Sequence, residues 1–246
     1  MKGFLTALQF LTIIRLWDDP DPTEDRFGVS MAFFPLVGLV IGLILVAVRF
    51  AASLIFPPAI ADVFVIIALV VVTGGLHLDG FADTVDGLAG GKDRERVLAI
   101  MKDSRIGSFA VIGLILILLV KVVALTEVNL LVKTKALLIV PVLGRWATVQ
   151  LAALFPYARA GGGTARVFVA FTGKLEYAVA FLITALIVVG LFSLKGAAIL
   201  AIAAAVAFGI GIFFNRRIGG VTGDVMGATC ELVEAVTLLL VCSFFL

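Results

Sequence analysis

Three aspartates, Asp79, Asp83 and Asp86, sit in LHLDGFADTVDGL at residues 76–88, where a very apolar run ends. The sixteen residues from Ala61 to Leu76 hold a single charge. Steps of four, three and seven residues put all three carboxylates on one face of a helix. Like charges at that spacing repel one another, so a cation belongs among them. Magnesium suits the site, because it takes oxygen ligands, keeps several waters and is shared between a few carboxylates and substrate phosphates. A softer metal lacks ligands: His77 is the only histidine, and Cys230 and Cys242 have no companions and read as small buried hydrophobes. With a diphosphate bound, the metal would polarise phosphoryl oxygens and stabilise the leaving group.

Further polar residues cluster nearby in type. His77 is either a general base or a helix-end histidine orienting Asp79. Asp103 and Arg105 lie in DSRIG, at the mouth of the next apolar stretch. In FPYARAGGGTARVFVAFTGK (155–174), Arg159 and Arg166 flank three glycines, a pattern that suits phosphate. Near the C-terminus, NRRIGGVTGDVMGATCELVEA places Asp224 in a glycine-rich turn ahead of Glu231 and Glu234. The two glutamates share a face inside apolar sequence, where ionisable groups are costly unless paired. Arg145, mid-span in PVLGRWATVQ, is the expected ion-pair partner, and pairing is compatible with a functional role.

The elements that must position these residues are membrane helices. The chain is 62% hydrophobic with a mean hydropathy of +1.22 over 246 residues, far beyond soluble usage. Apolar stretches run over about 31–56, 59–76, 106–125, 136–155, 177–194, 196–214 and 229–246. Backbone groups in lipid must be satisfied within the segment, so each stretch is expected to be helical. The apolar run from Gly3 to Ile14 is too short to span and reads as an uncleaved helix in the interface. KDRERVLAIMKD, from Lys92, reads as a short amphipathic surface helix. The expected fold is therefore all-α: one membrane-embedded domain over 1–246, a polytopic helical bundle with about seven transmembrane helices.

Charge decides orientation. With the N-terminus inside, the connections at 1–30, 77–105, 156–176 and 215–228 carry thirteen of the nineteen basic residues. This positive-inside bias puts the N-terminus and every polar motif at the cytoplasmic face of a cell inner membrane. A net charge of +2 gives no reason to expect nucleic acid as a partner.

The blocks GGLHLDGFADTVDGLAGG, IMKDSRIGSFAV, FFPLVGLVIG and GGVTGDVMGATCELVEA together resemble the cobalamin synthase family, the adenosylcobinamide-GDP ribazoletransferases. They occur in the family's order across nearly the whole chain. The resemblance implies an integral membrane transferase that requires Mg2+. Its substrates would be adenosylcobinamide-GDP and α-ribazole or its 5′-phosphate, and its products adenosylcobalamin or its phosphate and GMP. A ribose hydroxyl would attack the phosphorus carried by cobinamide. Carried onto this chain, Asp79, Asp83 and Asp86 are the expected metal ligands, with Asp83, Asp86, His77 and Glu231 catalytic. Asp103, Arg105, Arg159, Arg166 and Asp224 are the expected substrate contacts. Two other readings compete. DTVDGLA partly matches the carboxylate motif of CDP-alcohol phosphotransferases, with Ala89 one place early, and intramembrane acids with Arg145 would suit an ion-coupled transporter.

Overall fold

The computed structural model describes residues 2–16, 24–160 and 162–245. Its helices, in chain order, are α1 (Lys2–Leu11), α2 (Glu24–Ser30), α3 (Phe34–Ser53), α4 (Pro58–Val72), α5 (Leu76–Gly90), α6 (Arg94–Ile100), α7 (Ser108–Glu127), α8 (Leu130–Leu154), α9 (Thr164–Phe171), α10 (Lys174–Ile218) and α11 (Gly223–Phe244). Among the described residues the only β pairing is an isolated bridge between Tyr157 and Val221. The protein is an all-α polytopic membrane protein. Five helices are long and apolar enough to cross a bilayer, six if α4 and α5, bent by 87°, make one broken span.

Two of the expected stretches look fused, since α10 runs for 45 residues. Such a helix would be about 67 Å long, twice a bilayer's hydrocarbon core. Ser193, at φ 52° and ψ −130°, breaks it. In the first half Tyr177 stacks on Trp146, while the Leu191 carbonyl accepts from Lys135. In the second half Gln150 donates to the Ala204 carbonyl, and Gly211 lies against Phe155. The first half thus runs antiparallel to α8 and the second parallel to it. Residues 174–192 and 194–218 form a hairpin, and each expected apolar stretch has its own helix or half-helix.

The second stretch ends sooner than expected. Gly74 and Gly75 adopt φ of 60° and 69°, left-handed backbone that glycine enters without penalty. The chain turns there, and the helical register expected for the three aspartates is realised in α5, within the segment expected to connect two spans. This helix packs against the first halves of α7 and α11, with Phe81 clustered with Ile117 and Ala228. The amphipathic helix expected from Lys92 is present as α6, opened by Asp93, whose side chain accepts from the Arg96 amide.

Packing depends on backbone approach. The most extensive helix pair is α3 with α8. Gly38 and Gly42 form a G-x-x-x-G stripe, and a Cβ at Gly42 would stand 2.8 Å from the Leu137 carbonyl oxygen. That oxygen is the one Pro141 leaves without its usual helical amide, four residues on. The Gly42 Cα therefore covers an acceptor that would otherwise face hydrocarbon.

Two groups of charges are buried between helices. Near one end, Asp62 of α4 accepts from Arg49 of α3 (2.9 Å) and Lys133 of α8 (2.7 Å). Mid-bundle, Lys121 of α7 lies 2.5 Å from both Glu231 and Glu234 of α11, and Arg145 of α8 also pairs with Glu234. The Arg145–Glu234 pair is the one expected from sequence. Lys121 was not expected, and it holds Glu231. Because α11 starts at Gly223 rather than near 229, Glu231 lies about 12 Å along it.

Gly42→Leu is expected to lower the thermal midpoint of the detergent-solubilised protein sharply, because overpacking a backbone contact costs about 1–3 kcal/mol or more. Gly190→Leu, where nothing lies within 4 Å, should leave the midpoint unchanged. Lys121→Met strands Glu231 and should cost about 3–5 kcal/mol, whereas Lys121→Met with Glu231→Leu should recover most of the loss. Equal midpoints for the single and double variants would contradict the pairing.

Candidate functional site

The site forms where α5 crosses α11. A Cβ at Gly80 would lie 2.9 Å from the Asp224 Cα, and one at Gly227 would lie 3.1 Å from the His77 carbonyl oxygen. Only glycine at both positions lets the two backbones meet this closely. The crossing places Asp79 and Asp83 beside Asp224, which opens α11. Thr222 caps that helix through its side-chain oxygen, which accepts from the Val225 amide at 3.2 Å.

Arg159 completes the cluster. The loop carrying it is aligned beside Val221, with the Ala158 amide donating to the Val221 carbonyl and the Val221 amide to the Pro156 carbonyl. Arg159 then reaches Asp224 at 2.6 Å. Arg94 of α6 donates to the Ala158 carbonyl, and Arg217 to the carbonyls of Gly91 and Lys92. Basic residues that set orientation in the sequence reading thus also tie the loops of this face together.

The three aspartates have different surroundings. Asp79 is exposed and Asp83 half-buried, and no hydrogen bond or ion pair among the described residues engages either carboxylate. Burial, with Asp224 and Asp79 close by, pushes the Asp83 carboxyl up to about 6. Asp86 is used otherwise. Its two oxygens accept from the Gly107 amide (2.6 Å) and the Ala110 amide (2.8 Å), capping α7 from another helix. A side chain at Gly107 would collide with it, at 2.6 Å. The expected trio of metal ligands is therefore not gathered as a trio, although its members share a helix face.

Among the described residues no three His, Cys, Asp or Glu side chains are close enough to hold a metal by themselves. Magnesium does not require three, since one or two carboxylates with substrate phosphates and water usually suffice. Two unengaged hard-oxygen donors, one of them disfavoured as an anion by burial and by its acidic neighbours, fit such a shared ion.

The remaining expected residues are scattered. Asp103 and Arg105 pair with each other in an exposed loop, where the Arg105 hydrogen bonds pull the Asp103 carboxyl down to about 2. Neither joins the aspartate cluster. Arg166 is exposed on α9, near Tyr157. His77 is buried beneath the cluster and lines a cavity there. Glu231 is buried deeper in α11, with Lys121. Sequence reasoning missed Lys121, Asp62 and Lys133 as buried partners. Asp62 and Lys121 had a plain signal, each being a charge inside an apolar stretch, whereas Lys133 lay just outside the stretch expected over 136–155.

The family model described as Cobalamin-5-phosphate synthase (CobS) matches residues 3–242. Among curated relatives, adenosylcobinamide-GDP ribazoletransferase of Chlorobaculum tepidum is 41% identical over 243 residues, covering 98% of this chain and 94% of the relative. The enzyme of that name from Geotalea daltonii is 40% identical over 239 residues, with 97% and 96% covered. That from Clostridium acetobutylicum is 36% identical over 240 residues, with 98% and 95% covered. No solved structure matches the chain. A match over almost every residue, with the quoted blocks inside it, decides among the three readings of the sequence: the chain belongs to the cobalamin-5-phosphate synthase (CobS) family.

Proposed function

We propose that this chain is an adenosylcobinamide-GDP ribazoletransferase acting at the membrane surface. It would join adenosylcobinamide-GDP to α-ribazole, or its 5′-phosphate, giving adenosylcobalamin, or its phosphate, and GMP. The observation that carries the proposal is the pair of unengaged carboxylates, Asp79 and Asp83, beside the Arg159–Asp224 ion pair in a chain of this family.

A ribose hydroxyl oxygen of the acceptor attacks the phosphorus borne by cobinamide. The new O–P bond forms as the bond from that phosphorus to the bridging oxygen breaks. GMP leaves with the electron pair, and the hydroxyl proton passes to a carboxylate of the cluster. Asp79 and Asp83 would hold Mg2+, which when bound would neutralise the diphosphate and stabilise the departing phosphate. Arg159, anchored by Asp224, directs a guanidinium at the same charge. Asp79 is exposed, so a nucleotide can reach the cluster from solvent.

The positive-inside bias supports placing this face in the cytoplasm of a cell inner membrane, with lipid around the spans. Thirteen of the nineteen basic residues belong to the four connections expected on that side, and Arg94, Arg159 and Arg217 bind three of these to one another.

Asp83→Asn should lower magnesium-dependent GMP release by on the order of a hundredfold or more without shifting the thermal midpoint. Asp86→Asn should behave in the opposite sense. It weakens the cap on α7, costing about 1 kcal/mol of stability, and leaves the magnesium concentration needed for half-maximal rate unchanged. Full turnover by Asp83→Asn in folded protein would refute the metal assignment.

A further inference from the structure

Beneath the aspartates lies a cavity of about 190 Å3, bounded by α1, α3, α5, α8, α9 and α11. Its walls are aromatic and aliphatic. Phe10 and Phe168 have ring centroids 4.5 Å apart, and Phe34 lies 5.7 Å from Phe168. Leu11 and Met226 complete the apolar surface. Asp79 and Asp224 stand at the rim, so the cavity opens into the cluster described above.

One polar side chain is left free inside. His77 is 5% exposed, and neither ring nitrogen has a hydrogen-bond partner among the described residues. Thr148 also lines the cavity, but its hydroxyl already donates to the Arg145 carbonyl at 2.7 Å. An unpartnered imidazole buried among phenylalanines costs free energy unless a ligand supplies its hydrogen bond.

We propose that this cavity binds the flat aromatic base of the acceptor nucleoside, with His77 as its single hydrogen-bonding contact. The assignment rests on the reaction proposed above and adds where one substrate is held. Size and polarity choose the occupant. Small-molecule pockets usually measure about 300–1,000 Å3, so this one admits a bicyclic ring and excludes a corrinoid. Guanine carries several donors and acceptors around its rim, and a cavity with one free polar group would strand most of them. An apolar benzimidazole-type bicycle strands none. It would sit between the phenylalanine rings in offset or edge contacts, leaving its sugar at the rim beside Asp79 and Asp224.

The test uses the full chain in detergent or lipid discs, with free benzimidazole as probe. In turnover, benzimidazole should compete with α-ribazole and not with adenosylcobinamide-GDP, and guanine should not inhibit. Ala165→Leu places a side chain in the cavity and should weaken calorimetric benzimidazole binding about tenfold or more, because each methylene in an apolar pocket is worth roughly 10–200-fold. The same variant should raise KM for α-ribazole with little change in KM for adenosylcobinamide-GDP. Met226→Ala widens the cavity and should favour a tricyclic aromatic base over benzimidazole. Benzimidazole binding that is absent, or identical in wild type and Ala165→Leu, would overturn the assignment even if GMP release is normal. Binding lost in Ala165→Leu while the wild type releases no GMP would sustain the aromatic site and sink the reaction instead.

Discussion

A bilayer interior gives an unpaired charge no water to turn to, and that constraint fixes the arrangement of this bundle. Lys121, Arg145, Glu231 and Glu234 come from three helices and neutralise one another where none could stand alone. Both glutamates belong to α11, so pairing them with α7 and α8 leaves α11 a single rotation and a single depth. Asp224 lies seven residues, two helical turns, before Glu231 on the same helix face. Its placement beside α5 follows from the charges below it. The surface chemistry inherits its geometry from ion pairs in the middle of the membrane.

α5 is the element that turns this framework into a site. At one end Asp86 holds the first amides of α7, and nearer its start Gly80 admits α11 to backbone contact. These two attachments use different faces of chemistry, one polar and one steric, and together they clamp a short helix whose glycines would make it weak in isolation. What remains unattached is the pair Asp79 and Asp83. The fold satisfies Asp86, Asp62, Glu231 and Glu234 internally and leaves these two carboxylates without a partner among the described residues.

Much of this was legible in the residues. Apolar length and the absence of charge located the spans, and the aspartate register correctly put three carboxylates on one helical face. Spacing alone carries no information about what lies across from a face, and so the recruitment of Asp86 by the amides of Gly107 and Ala110 was hidden. The Gly74–Gly75 pair marked the break between α4 and α5 more clearly than hydropathy did, since hydropathy ran on to Leu76. Thr222, followed by Gly223 and Asp224, is a good helix start, and reading it as one would have placed Glu231 deep rather than near the surface. The reversal at Ser193 falls two residues from the boundary expected at Lys195, between the stretches 177–194 and 196–214. Sequence marked that break, and what it left unstated is that both halves of α10 pack on α8.

On the side away from the aspartates the described chain turns in residues 54–57, 128–129 and at Ser193, and Lys135 and Lys195 lie over the carbonyls of Leu191 and Phe244 at the helix ends. These turns are short, and the charges beside them, Asp62, Arg49 and Lys133, are paired between helices. The longer connections, 91–93, 101–107 and 155–163, all lie on the aspartate side, so the chain spends its irregular backbone at one end of the bundle.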